Sequence, residues 1–181
     1  MKITLPAEEW AFLVALVQRI KTESAALGYV TVTEEGLVVH DLFVPEQEVT
    51  GATFEMDKTS VGKIAEENRV KKGLDIGDIR FQWHSHGTMS PGPSSVDAGN
   101  VVDLLSCSGT WLLTMIMNRS LEYTLQLDVL KPHHARITGL QLDSRDSRVE
   151  EAIRRVHEER RVGDWRGAPR MLGTGFGEYY L

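Results

Sequence analysis

At 181 residues, with 41% hydrophobic and 25% charged side chains, the chain suits one soluble domain with a sizeable core. Its formal net charge of -6 argues against a general nucleic-acid binder, because that affinity rests on cationic neutralisation of phosphates. A lone cysteine, Cys107, excludes an intrachain disulfide framework and points to a reducing, cytoplasmic setting.

Met1 to Leu5 alternates as a short strand does. Pro6 suits the first turn of a helix, and Glu8 and Glu9 suit its positive end. These two acids precede any long apolar run, which is not the pattern of a secretory signal. Trp10, Leu13, Val17 and Ile20 recur at helical spacing up to about Lys21. Ala26 to Thr33 and Leu37 to Val44 read as strands around a Glu34-Glu35-Gly36 turn. Ala52 to Met56 reads as a further strand or part of a hairpin. Thr59 to Lys72 reads as a helix stopped by Gly73, and Ile79 to His86 as a strand. A helix is expected from Ser95 to about Ser106. Trp111 to Met117 and Leu121 to Leu130 form a hairpin through Asn118-Arg119-Ser120, and Ala135 to Leu142 is the last strand. Val101 to Met117 is the nearest approach to a bilayer span, but Asp103, Ser106, Ser108 and Gly109 interrupt it, so no membrane is expected. Helices interrupting a hairpin-built sheet predict an α/β sandwich with mixed strands.

Residues 1–145 are assigned to this domain and 146–181 to a C-terminal helix and tail. The helix is expected over Val149 to Val162. The tail, Gly163 to Leu181, is rich in glycine and aromatics. It reads as a solvated tail or as a self-association segment using Trp165, Phe176, Tyr179 and Tyr180.

The chemistry concentrates in Phe81 to Asp97, which reads FQWHSHGTMSPGPSSVD. Residues two apart on a strand share a face, so His84 and His86 project to one side and can share a metal ion. Asp97 can return after the Gly/Pro-rich loop as a third ligand. Two imidazoles and a carboxylate, with a fourth position left to water, make the ligand set of a catalytic zinc site. The residues alone leave other first-row divalent ions open. Ser94 and Asp97, three apart, also read as an acidic variant of a capping box. His40 and Asp41 read as strand and turn residues, His133 and His134 as a loop, and Cys107 as an apolar filler.

His84-x-His86, seven residues, Ser94, two residues, Asp97 resembles the signature of the JAMM (MPN+) metalloproteases. That family also carries a glutamate near the end of the first helix, before a strand with a small residue and a glycine. Glu23-Ser24-Ala25-Ala26-Leu27-Gly28 stands in that place. Gly87 departs from the family, many of whose members have proline there. The resemblance covers roughly Met1 to Asp143.

It implies an MPN-like mixed sheet sandwiched by helices, with zinc at the sheet edge. His84, His86 and Asp97 would hold the ion, Glu23 would be the general base, and Ser94 would stabilise the oxyanion. The implied reaction is hydrolysis of an amide or isopeptide bond after the C-terminal glycine of a ubiquitin-like or sulfur-carrier-like protein. Val49 to Ser60 would be the substrate-clamping insertion. The alternative is a catalytically silent MPN-type scaffold that binds protein partners.

Overall fold

The computed structural model describes residues 1–20, 22–49, 54–94, 97, 101, 109–131 and 133–143. Pro6 stands at the N-cap of the first helix, its backbone still extended at φ -55° and ψ 155°. Helix α1 then runs Ala7–Arg19, and Trp10, Leu13, Val14 and Val17 bury its core face. It follows strand β1, Lys2–Thr4. Strands β2, Ala25–Val32, and β3, Gly36–Phe43, form a hairpin. A short ribbon follows, β4 Gln47–Val49 and β5 Phe54–Met56. The expected strand from Ala52 is therefore seen only from Phe54, and residues 50–53 lie outside the described set.

Asp57 caps helix α2, Lys58–Lys72, by accepting from the Thr59 N–H at 2.8 Å. Gly73 ends it in left-handed backbone at φ 72°. A 3₁₀ turn, Ile76–Asp78, leads to β6, Ile79–Ser85. Strands β7, Trp111–Met117, β8, Tyr123–Val129, and β9, Ala135–Ile137, complete the chain's regular structure among the described residues. Asp97 and Val101 are helical. The rest of the helix expected over 95–106, and everything expected over 146–181, lies outside the described residues.

The main sheet has the order β1-β3-β2-β6-β7-β8-β9. Strands β1 and β3 are parallel, as are β6 and β7, and the other pairs are antiparallel. The fold is thus α/β with a mixed sheet. Strand alternation gives the sheet two different faces. Ala26, Val30, Phe81, Trp83, Leu113 and Met115 join α1 in the apolar core. The opposite face packs Leu27, Tyr29 and Ile79 with Ala65 of α2. Each fully buried Leu or Phe in such a core contributes about 1.5–3 kcal/mol. No helix of the described residues is long and apolar enough to cross a membrane.

Two departures from strand geometry carry consequences. Asp41 sits at φ 50°, in a bulge where the β2–β3 register slips between Leu27 and Tyr29. Glu9 of α1 accepts from the Leu42 N–H at 3.3 Å beside this bulge. Gly139, at φ 70°, ends the last strand earlier than the expected Leu142. The chain then turns back as a strap. Leu140 and Leu142 pack against the main core, and the Asp143 N–H donates to the Ile3 carbonyl at 2.7 Å.

Candidate metal centre

His84 belongs to β6 and His86 lies just past its end, so both imidazoles leave one face of the sheet. The His86 N–H donates to the Met117 carbonyl at 2.9 Å, which keeps the backbone extended through the pair. Asp97 comes from the start of the following helical stretch. Its N–H donates to Ser94 Oγ at 3.2 Å, and its Oδ2 accepts from the Ser94 N–H at 2.6 Å. The expected reciprocal cap is therefore formed, and it turns the Asp97 carboxylate toward the histidines.

The three side chains are buried, with exposures of 1%, 6% and 7% for His84, His86 and Asp97. His84 Nε2 lies 3.2 Å from His86 Nε2 and 3.1 Å from Asp97 Oδ1. His86 Nε2 lies 3.4 Å from Asp97 Oδ2. A divalent ion about 2.0–2.1 Å from each of its tetrahedral ligands holds those ligands roughly 3.3–3.4 Å apart. The Nε2–Nε2 and His84 Nε2–Asp97 Oδ1 separations are close to that requirement, and one ligand atom from each of the three residues lies within 4.8 Å of the others, so the cluster can hold a metal ion. It is the only such group among the described residues.

Protonation fits as well. His86 Nδ1 lies 2.9 Å from the Ser90 carbonyl and donates to it, which leaves Nε2 with its lone pair for an ion. Burial pushes the Asp97 carboxyl up, but hydrogen bonds from His84 and Ser94 outweigh it and hold the group well below the usual carboxylate range. Asp97 is thus an anion beside the two imidazoles.

Glu23 lies on the connection from α1 to β2 and is 8% exposed. Burial raises its proton affinity, partly offset by the His86 and His84 imidazoles. The next residue, Ser24, is tied to Ser85 between the two histidines: the Ser24 N–H donates to Ser85 Oγ at 3.0 Å. The structure therefore brings Glu23, His84, His86, Ser94 and Asp97 into one neighbourhood.

Three further residues shape the site. Gln47, 1% exposed, accepts from the Ala25 N–H and donates to the Ala25 carbonyl, both at 2.9 Å. Ala25 is the register partner of His84, so this side chain fixes the strand beside the ligand. Phe54 of β5 lays its ring 5.4 Å from that of His84, tilted by 38°. Asn118 donates to the Met89 carbonyl at 3.1 Å and tethers the loop after His86. Gly87 in that loop has φ 52°, which proline cannot adopt, so the loop follows a path closed to the commoner family residue.

His40 and Asp41, read from the sequence as strand and turn residues, both lie within β3 with Asp41 on its bulge, bonded through Nδ1 and Oδ2 at 2.8 Å. His134 faces the fully buried Asp128 at 3.3 Å, where Arg136 also binds at 2.7 Å.

No family model matches this chain, and no curated protein does. Among solved structures, it is similar to the solution structure of protein DSY2949 from Desulfitobacterium hafniense. The TM-score is 0.51 at 16% identity, over 79% of this chain and 97% of that one. At that identity the likeness concerns the fold alone.

Proposed function

We propose that this protein is a zinc-dependent metallopeptidase of the JAMM (MPN+) kind, built on an MPN-like sheet. Its reaction is hydrolysis of an amide or isopeptide bond after the C-terminal glycine of a ubiquitin-like or sulfur-carrier-like protein. The observation that carries the reading is the buried His84–His86–Asp97 cluster, whose ligand atoms lie within 4.8 Å of one another, with the two Nε2 atoms 3.2 Å apart and Asp97 Oδ1 3.1 Å from His84 Nε2, beside the buried Glu23 carboxylate. Two nitrogens and one carboxylate oxygen suit zinc and leave a position for water. A bound zinc lowers the pKa of its water to about 7 and polarises a carbonyl. Glu23 is the general base, and its burial-raised proton affinity suits a group that must take a proton. Ser94 donates to the oxyanion. The substrate tail lies extended as an added strand beside the β4–β5 ribbon, whose Phe54 borders His84.

The test pairs metal content with turnover. Elemental analysis should find one zinc per wild-type chain and none in His84→Ala/His86→Ala. A panel of ubiquitin-like and sulfur-carrier-like fusions should be cleaved by wild type and spared with chelator present. A full equivalent of zinc in the double variant sinks the site. Binding of a fusion without any cleavage would favour the silent scaffold.

A further inference from the structure

His84 is the less completely supported of the two imidazoles. Its Nε2 faces Asp97 and His86, yet its Nδ1 is buried with no hydrogen-bond partner. A metal-ligating histidine almost always donates its second ring N–H to an oxygen, which fixes the tautomer and aims the ring. His86 obeys this through Ser90.

The neighbours of His84 narrow the choice of acceptor. Across the sheet its register partners are Ala25 on β2 and Ile116 on β7, neither with a polar side chain. Phe54 lies against its ring. Along β6 the same face carries Gln82, two residues earlier and 1% exposed. Gln82 Oε1 is buried and also has no partner. Its register partner on β7 is Thr114, 1% exposed, whose Oγ1 is a third buried atom without a partner.

These three orphans complement one another: two donors and one amide oxygen with two lone pairs. Buried polar groups in folded proteins rarely stay unmatched. Placed on adjacent positions of one sheet face, they form a set that a single side-chain adjustment of Gln82 would satisfy.

We propose that Gln82 is the positioning residue of the metal centre. Its Oε1 accepts from His84 Nδ1–H and from the Thr114 hydroxyl, holding the His84 tautomer that presents Nε2 to the ion. The inference rests on the metal site proposed above and adds to it a residue outside the motif.

The experiment compares wild type, Gln82→Met and Gln82→Glu. Methionine keeps the side-chain length and removes the acceptor; glutamate keeps an acceptor oxygen. Zinc affinity is read by chelator competition, the His84 tautomer by ring nitrogen chemical shifts, and folding by melting temperature. Gln82→Met should stay folded, bind zinc about 10–100-fold more weakly, and shift the His84 ring signals. Gln82→Glu should bind within a few-fold of wild type or more tightly. Zinc affinity of Gln82→Met within twofold of wild type, with unchanged His84 signals, overturns the role of Gln82 while leaving the metal site standing. A wild-type protein that takes up no zinc overturns both.

Discussion

Ser24, just before β2, and Ser85, at the end of β6, hold each other. The Ser24 N–H donates to Ser85 Oγ at 3.0 Å, the Ser85 N–H donates to the Ser24 carbonyl at 2.9 Å, and the hydroxyls lie 3.3 Å apart. Each is flanked by chemistry: Glu23 precedes Ser24, and the two histidines flank Ser85. Ser85→Ala leaves the buried Ser24 N–H without its acceptor, at a cost of about 1–3 kcal/mol. It also loosens the position of Glu23 relative to the candidate metal centre. Melting temperature should fall and turnover per folded molecule should fall further, with zinc retained. Wild-type turnover in a destabilised Ser85→Ala protein would reduce the clasp to a structural element.

Glu23→Gln tests the base directly. The amide is nearly isosteric but cannot take a proton from water. Fold and zinc content should be kept, and turnover should drop about 10²–10⁴-fold. Activity within a few-fold of wild type would assign the base elsewhere.

The cap seen at Ser94 and the oxyanion role proposed for it need not compete. Its Oγ accepts from the Asp97 N–H, so the hydroxyl proton remains for another partner. As a cap alone, Ser94→Ala costs about 0.5–2 kcal/mol of stability with turnover unchanged. As an oxyanion donor too, it also loses about 10²–10³ in rate. We expect both losses, with zinc still bound, when melting, metal content and turnover are measured on one preparation.

Glu9 supplies a pH dependence remote from the metal. Burial raises its proton affinity, against hydrogen bonds from the Leu42 and Asp41 backbone that lower it. A carboxyl whose folded-state pKa lies above the unfolded value favours folding most below the unfolded value. That contribution is lost as pH rises through the folded value. Glu9→Gln removes this titration. The variant should therefore gain melting temperature relative to wild type as pH rises from acid to neutral. A parallel pair of pH–melting curves would be evidence against a titrating Glu9.

The parts legible in the sequence were those written in local periodicity or fixed spacing. The apolar repeat of Trp10, Leu13 and Val17 marks α1, and Gly73 marks the end of α2. His84, His86, Ser94 and Asp97 were legible because strand period and cap spacing place them without long-range information. Strand β4 was not, since three residues carry no periodicity; Gln47 is held there by backbone groups of Ala25. Phe54 against His84 and Ser24 against Ser85 escaped for the same reason: each pair is joined only by the folded sheet. The early end of β9 depends on Gly139, a residue that permits a turn without requiring one.

The strap after β9 has a consequence for how the sheet opens. Strands β1 and β9 are its two edges, where fraying normally begins. Here Asp143 is bonded to the Ile3 carbonyl, its carboxylate meets Lys2 at 2.9 Å, and the Leu142 N–H meets the Tyr123 hydroxyl. The strap starts from one edge and is fastened to the other, so neither can peel far by itself. Amide protons of β1 and β9 should exchange with solvent as one cooperative unit, and replacing Asp143 should speed exchange at both edges together.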